Sequence, residues 1–200
     1  MPTRTQLRNE LKQRRNEHSA AECQALSMQI CEHIRRSKFF TNRQRLALYY
    51  SIGNEVDLEH LFHYAWALNK TIFLPVLSQF PKGHLWWIKF NEQTPLYLNR
   101  YQIPEPVHPA HARRTKLRSL DVVFMPLVGF DENGNRLGMG GGFYDRSLSR
   151  CFRHSTIWHR PLRVGVAYSW QQIQKIPAEA WDIPLDAIVT EHGIRWFKTK

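Results

Sequence analysis

The chain has 200 residues and a mass of 23.7 kDa, the size of one ordinary domain, which can bury a core without disulfides or structural metals. Hydrophobic residues make up 42% and charged residues 22%, proportions that exclude a disordered, collagenous or coiled-coil chain. Lysine and arginine (28) exceed aspartate and glutamate (17) by 11, so the surface field is positive and favours anionic partners.

The sequence contains no candidate membrane span. Its longest apolar stretch, Val122 to Phe130, is interrupted by Pro126 and falls well short of the roughly 20 residues that a spanning helix needs. The N-terminus lacks the apolar core of a secretory signal, and three cysteines fit a reducing compartment. We therefore expect a cytoplasmic protein.

Two helices are predicted at the start of the chain. Residues 3–17 form a basic helical pattern with Leu7 and Leu11 on one face. A capping box of Ser19 and Glu22 predicts a second helix that runs to about residue 36.

The rest of the chain alternates between strand-like and helix-like patterns. Asp57 is placed to cap a helix that carries a buried leucine face, and another helix is predicted over residues 143–151. Residues 94–115, rich in Pro, His and Arg, are predicted to be a long irregular connection. Apolar runs predict strands at residues 45–50, 71–76, 85–90, 121–125, 162–168 and 187–190. This alternation predicts a single α/β domain with a mostly parallel open sheet and helices on both faces.

Glycines concentrate at one point. Five of the ten lie between Gly134 and Gly142, after a buried strand and before a helix. In that position backbone N–H groups can approach a phosphate closely, and the helix dipole favours negative charge. No Gly-Lys-Ser/Thr closes a P-loop, and Phe143 stands where a dinucleotide fingerprint has its third glycine. The alternative to a phosphate site is a flexible hairpin with tight helix–sheet packing.

The residues around the glycines extend this interpretation. Asp145, in the first helical turn, could hold Mg²⁺ against bound phosphates or simply cap the helix dipole. Arg136 and Arg146 could clamp phosphate oxygens or remain solvated. Phe143 and Tyr144 could stack on a heteroaromatic ligand or belong to the core.

The run Pro126-Leu-Val-Gly-Phe-Asp131, followed by Gly134-Asn-Arg-Leu-Gly-Met-Gly-Gly-Gly-Phe-Tyr-Asp-Arg146, resembles the 5-formyltetrahydrofolate cyclo-ligase family, also called 5,10-methenyltetrahydrofolate synthetases. The resemblance extends towards both ends, through Leu7-Arg8 in the basic helix and Glu179-Ala-Trp-Asp-Ile-Pro-Leu-Asp186. It implies a ligase that uses ATP and Mg²⁺ to close 5-formyltetrahydrofolate into 5,10-methenyltetrahydrofolate, with release of ADP and phosphate. The formyl oxygen would attack the γ-phosphate, and N10 would then attack the activated carbon.

The resemblance also implies the nucleotide and metal residues. Arg4 and Arg8 of the N-terminal helix would contact ATP phosphates, and Asp145 and Asp182 match the positions implied in Mg²⁺ binding. Arg136 and Asp145 are the predicted catalytic residues. The nucleotide loop implied by the resemblance consists of Arg136, Leu137, Gly138, Met139, Gly140, Gly141, Gly142, Phe143 and Tyr144.

The folate contacts follow from the resemblance in the same way. Tyr50 and Glu55 match folate-contacting positions after the first strand, and Glu55 could accept hydrogen bonds from a pterin or be an exposed loop carboxylate. Phe143 and Tyr144 would contact both substrates.

Two other functions remain open on the residues alone. A basic α/β module could bind RNA or another anion without catalysis, although no helix-turn-helix or basic–aromatic pattern supports nucleic-acid binding. A nucleotide-dependent enzyme could also use the same loop on a non-folate substrate. We expect a monomer whose partners are the folate and ATP, with no membrane contact.

Overall fold

The structure, a computed structural model, describes residues 2–108, 115–153 and 160–197. Its α-helices are α1 (Arg4–Asn16), α2 (Ala20–Arg36), α3 (Lys38–Thr41), α4 (Glu59–Ala67) and α5 (Phe143–Arg153). Its strands are β1 (Arg45–Ala47), β2 (Thr71–Leu77), β3 (Leu85–Phe90), β4 (Leu96–Leu98), β5 (Pro104–Pro106), β6 (Val122–Pro126), β7 (Gly129–Phe130), β8 (Arg136–Leu137), β9 (Leu162–Val166), β10 (Ala187–Thr190) and β11 (Gly193–Trp196).

A seven-stranded sheet with the order β11-β10-β9-β6-β1-β2-β3 forms the centre of the fold. Its five inner strands are parallel, whereas β3 and β11 each join the edge as the second strand of an antiparallel hairpin. In the centre, Leu46 of β1 pairs with both Ile72 and Val122. The predicted mostly parallel α/β fold is therefore confirmed.

Both faces of the sheet are covered, because successive side chains of a strand point to opposite sides. Leu46 and Val122 join the core cluster that α2, α3 and α4 cover. Their neighbours Ala47 and Val123 join the cluster on the other face, where Leu148 of α5 packs. Helices thus lie on both faces, as predicted.

Helix α1 belongs to a third, smaller cluster. Thr3 caps it through a capping box with Gln6, and its Leu7 and Leu11 pack with Leu137 of β8. This packing places the basic helix next to the glycine-rich segment, although the two lie more than a hundred residues apart in sequence.

The predicted caps are partly present. Ser19 Oγ accepts from Glu22 N at 3.2 Å, but the Glu22 carboxylate pairs with His18 and does not close the box. Asp57 accepts from the backbone N–H of Glu59 at 3.0 Å, although Leu58 occupies the cap position of α4.

Several elements were absent from the sequence prediction. Residues 94–115 are not an irregular connection throughout, because β4 and β5 form an antiparallel hairpin within them; residues 109–114 lie outside the described ranges. The short helix α3, the β7–β8 hairpin and the last strand β11 were also missed. Among the described residues, no helix has the length and apolar character that crossing a membrane requires.

Candidate active site

A cavity of about 1130 Å³ opens at the carboxyl ends of β1, β2 and β6. Tyr49 and Tyr50 line it just after β1, Pro75 lines it from β2, and Pro126 lines it at the end of β6. Open α/β sheets bind their ligands at this edge, and a cavity of this volume holds more than one small substrate.

The β7–β8 hairpin brings the glycine-rich segment to the cavity. Fully buried Asp131 accepts hydrogen bonds from the backbone N–H groups of Asn133 (2.9 Å), Asn135 (3.0 Å) and Ile176 (3.0 Å). Gly134 closes the turn with a φ of +79°. A single buried carboxylate therefore shapes the turn that leads into the loop.

Residues 138–142 connect β8 to the N-terminus of α5 and line the cavity. Gly140 and Gly142 have φ values of +103° and +62°, which L side chains rarely adopt. A helix N-terminus presents unpaired N–H groups and a positive dipole end, so this segment suits an anionic ligand.

Two arginines of α1 line the same cavity as this loop. Arg8 Nε donates to the carbonyl of Gly138 at 2.9 Å, and Arg4 donates to Asp182 at 2.5 Å and 3.3 Å. Burial and the charge of Arg4 lower the pKa of Arg8, against the opposite effect of Asp182. Two neighbouring cations that repel each other favour an anion between them.

Arg136 lies beneath the loop and is almost fully buried. Its Nη2 donates to Asp145 Oδ1 at 2.6 Å, and its Nε has no hydrogen-bond partner among the described residues. The same Asp145 oxygen accepts the backbone N–H of Ile183 at 3.1 Å. The ion pair thus ties β8, α5 and the segment before β10 together at the cavity.

Asp145 and Asp182 suit a metal ion that substrate phosphates also bind, and they do not form a complete metal site by themselves. Among the described residues, no three His, Cys, Asp or Glu side chains form a metal-holding group. Asp145 and Asp182 nevertheless line one cavity, and the described donors to Asp145 all use Oδ1. Mg²⁺ is commonly bound by one or two carboxylates together with substrate phosphate oxygens, which is a donor set that these residues fit.

The cavity residues that follow β1 are aromatic and acidic. The Tyr50 ring packs against Phe62 and Phe90, with centroids 5.2 and 5.9 Å away. The Glu55 side chain is only 9% exposed, so it is not an exposed loop carboxylate. Burial raises its pKa, against the lowering effects of Arg15 and the Ile52 N–H.

The cavity brings together every predicted site residue except Leu137, which is fully buried beneath α1 and does not line it. Strand alternation explains this difference, because Arg136 and Leu137 are consecutive in β8 and point to opposite sides. The side chain of Leu137 therefore packs with Leu7 and Leu11 of α1, and its nucleotide contact stays a prediction. The residues that do line the cavity are Arg4, Arg8, Tyr50, Glu55, Arg136, Gly138, Met139, Gly140, Gly141, Gly142, Phe143, Tyr144, Asp145 and Asp182.

The β4–β5 hairpin supplies cavity residues that the sequence analysis missed. Asn99, Tyr101, Ile103 and Glu105 all line the cavity, and the ring of Tyr101 meets Phe143 edge-on at 6.1 Å. Their flanking strands have three residues each, too short for periodicity to reveal. The available signal was a glutamate flanked by two prolines, because proline within sheets is confined to edge strands, strand starts and bulges.

The fold and the cavity place the chain among the open α/β proteins, a class that binds its ligands at the carboxyl ends of parallel strands. The model of the 5-formyltetrahydrofolate cyclo-ligase family matches residues 1–191. The chain is 36% identical over 182 residues to the 5-formyltetrahydrofolate cyclo-ligase of Haemophilus influenzae, covering 91% of this chain and 94% of the relative. The enzyme of the same name from Escherichia coli K12 is 37% identical over 180 residues, covering 90% and 96%.

Solved structures agree with these sequence relatives. The 5,10-methenyltetrahydrofolate synthetase of Aquifex aeolicus superposes with a TM-score of 0.81 at 31% identity, covering 98% of this chain and 94% of that one. The Mycoplasma pneumoniae synthetase, at 24% identity and a TM-score of 0.71 over 94% and 98% of the two chains, shares the fold. This chain belongs to the 5-formyltetrahydrofolate cyclo-ligase family of enzymes, which confirms the predicted resemblance.

Proposed function

We propose that the chain closes 5-formyltetrahydrofolate to 5,10-methenyltetrahydrofolate, using ATP with Mg²⁺ and releasing ADP and phosphate. The observation that carries the proposal is that one cavity of about 1130 Å³ joins an aromatic, acidic side to a basic, glycine-rich side. The first side suits a flat ring with N–H donors, and the second suits a polyphosphate.

The nucleotide side is argued from charge. Arg4 and Arg8 from α1 and Arg136 from β8 line the same cavity as the loop, whose glycines leave the backbone N–H groups accessible. Asp145 holds the Arg136 guanidinium at 2.6 Å, so this charge is oriented before substrate arrives. Phosphoryl transfer is catalysed mainly by such alignment and charge neutralisation.

The proposed reaction has two steps. The N5-formyl oxygen attacks the γ-phosphorus, the bond to the β–γ bridging oxygen breaks, and ADP leaves. N10 then attacks the formyl carbon and loses its proton, and the carbon–oxygen bond breaks to release phosphate with the former formyl oxygen. Arg136 and the loop N–H groups stabilise the charge that develops on the transferred group.

Asp145 and Asp182 would hold Mg²⁺, which when bound neutralises charge on the phosphate oxygens. Tyr50 and Glu55 would bind the folate ring opposite the loop, and Phe143 and Tyr144 would lie between the two substrates. The proposal therefore uses each side of the cavity for one substrate.

The test is the absorbance of the methenyl product after purified protein is mixed with 5-formyltetrahydrofolate and Mg²⁺, with and without ATP. We expect an ATP-dependent rise that Asp145→Asn slows by about 100-fold or more, because this change removes the charge that orients Arg136 and holds the metal. Glu132→Gln, on the exposed tip of the β7–β8 hairpin, is the control and retains the wild-type rate.

A folded protein that binds ATP but gives no rise would contradict the folate assignment. That result would favour a nucleotide-dependent enzyme with a non-folate substrate. Salt-sensitive RNA binding with no ATP dependence would favour the non-catalytic anion-binding module.

A further inference from the structure

The last turn of α1 contains a buried arginine that the proposed mechanism does not use. The side chain of Arg15 is 14% exposed, and its Nη2 has no hydrogen-bond partner among the described residues. This nitrogen lies 3.8 Å from Glu55 Oε1, too far for a hydrogen bond and close enough for a strong charge interaction.

Glu55 has few stabilising contacts for a buried carboxylate. The described hydrogen-bond donor to its side chain is the backbone N–H of Ile52, which reaches Oε2 at 3.2 Å. Its carboxylate lines the cavity, so it can accept further hydrogen bonds from a ligand there. A buried carboxylate with so few donors is costly to keep charged unless a cation lies nearby.

The other titratable groups that act on or are affected by Glu55 are phenols. Burial raises the pKa of Tyr49 and of Tyr144, and the Glu55 charge raises each further, so both stay neutral. Tyr168 donates its hydroxyl to the backbone carbonyl of Glu55 at 3.3 Å. Arg15 is the cation that acts on this carboxylate among the described residues.

The side chain of Asn54 ties together the two backbone segments that carry Arg15 and Glu55. Asn54, next to Glu55, donates its side-chain amide to the carbonyls of Arg15 (3.2 Å) and His18 (3.3 Å). These bonds fix the end of α1 against the turn that carries Glu55. The approach of Arg15 to Glu55 is therefore a built feature of the fold.

We propose that Arg15 is a positioning residue that keeps Glu55 ionised and directed into the cavity, where the carboxylate accepts hydrogen bonds from the planar N–H donors of the folate ring. This inference rests on the proposed function. It extends the role of α1 from the nucleotide side of the cavity to the folate side, since Arg4 and Arg8 lie at the other end of the same helix.

The direction of the pH effect follows from the charges. Burial raises the pKa of Glu55, and Arg15 opposes this shift. When the charge of Arg15 is removed, the carboxyl group takes up its proton at a higher pH. A protonated Glu55 carries an O–H donor on one carboxyl oxygen and no longer offers the ring N–H groups an acceptor on each oxygen, so binding of the folate weakens from the acid side.

The experiment measures kcat/KM for 5-formyltetrahydrofolate against pH in the full-length enzyme at saturating ATP. For Arg15→Met we expect the acid limb of the profile to move up by about one pH unit, the usual effect of one opposite charge at this distance. The KM for the folate should rise at neutral pH, while kcat at saturating folate and the KM for ATP stay near wild type. Arg15→Lys, which keeps the charge, should restore most of the wild-type limb.

Arg14→Met is the matched control, because Arg14 pairs with Glu10 on the exposed side of the same helix and does not line the cavity. It should leave the limb unchanged. If Arg15→Met fails to fold, Arg15→Gln provides the same measurement with a side chain that can still donate hydrogen bonds. A wild-type limb in the folded neutral variant overturns the inference.

Glu55→Gln separates this inference from the proposed function. If Glu55→Gln raises the KM for the folate while loss of the Arg15 charge does not move the limb, the folate site stands and the role of Arg15 is wrong. If Glu55→Gln leaves that KM unchanged, the proposed folate contact itself fails. If the folate contact of Glu55 and the positioning role of Arg15 are both correct, Arg15→Met should have no effect on the acid limb in a Glu55→Gln background.

Discussion

At the scale of single residues, the guanidinium group of Arg146 holds the glycine loop in position. Arg146 Nε donates to the carbonyl of Gly83 at 2.8 Å, and its Nη2 donates to the carbonyl of Gly141. The side chain thereby joins the loop to the turn between β2 and β3. A Cβ on Gly142 would lie 2.7 Å from Arg146 Nη1, and one on Gly83 would lie 2.9 Å from Nε. Close packing against Arg146 therefore adds to the backbone requirement for glycine at these positions.

We predict that Gly142→Ala destabilises the protein by about 1–2 kcal/mol, because its φ of +62° disfavours a Cβ and the methyl group displaces Arg146. The KM for ATP should also rise as the loop moves. Denaturant unfolding and steady-state kinetics give the two values.

Gly138→Ala is the stability control for this prediction. A Cβ there would meet Arg136 Nη1 at 3.5 Å, an ordinary contact, so its unfolding free energy should change little. Equal unfolding free energies for the two variants would contradict the role assigned to Arg146 and the positive φ.

At the scale of elements, the β4–β5 hairpin is held over the cavity by a buried carboxylate. Glu105 is 3% exposed, and its Oε1 accepts from the backbone N–H of Leu77 (2.9 Å) and from Asn99 Nδ2 (2.6 Å). Its Oε2 accepts from the Tyr97 hydroxyl at 2.8 Å. These bonds link the hairpin to β2, so Glu105 positions a cavity wall formed by residues such as Tyr101 and Ile103.

We predict that Glu105→Ala raises the KM for the folate and loosens the hairpin, because three donors lose their acceptor at once. Unsatisfied buried donors cost about 1–3 kcal/mol each when water cannot replace the acceptor. Hydrogen exchange should show faster exchange of the Leu77 amide and of the hairpin amides than in the wild type.

Glu92→Ala is the matched control, since Glu92 is 66% exposed in the connection between β3 and β4. Its hairpin amides should exchange at the wild-type rate, and its KM for the folate should equal that of the wild type. If the hairpin amides of Glu105→Ala exchange as slowly as those of the wild type, the prediction is wrong, and the backbone pairing between β4 and β5 alone holds this wall in place.

At the scale of the whole molecule, charge and core have separate roles. The two large clusters on the faces of the sheet are apolar and hold the strands together. The formal net charge of +11 acts outside them, and part of it lies on α1, which reaches the cavity through Arg4 and Arg8. A positive field of this kind raises the encounter rate with anionic substrates.

We predict that kcat/KM for both anionic substrates falls several-fold between about 50 mM and about 300 mM salt, since mobile ions screen this field. The kcat should change little, because the contacts inside the cavity are shielded from mobile ions. Initial rates in buffers of increasing NaCl test this, with a neutral osmolyte of equal osmolarity as the control. A salt effect confined to kcat would contradict the steering role.

Local pattern was sufficient for the main elements and the fold class. The apolar runs of β2, β3, β6 and β10 and the periodic faces of α1 and α2 carry their signals within single segments. The glycines from 138 to 142 similarly indicate where a loop meets a helix N-terminus. Local pattern failed for α3, for the strands of two or three residues in the hairpins and for the four-residue β11, because such short segments have no measurable periodicity.

What the sequence by itself determined is therefore the alternating α/β order, the glycine loop with its flanking charged residues, and membership of a family whose motif spans that loop. Only the tertiary structure decided which side of β8 faces the cavity, so that Arg136 lines it and Leu137 does not. It also decided that Arg15 meets Glu55 and that Glu105 joins the hairpin to β2. These are contacts between segments distant in the chain, and their distances and burial depend on how the elements pack against one another, which no local pattern encodes.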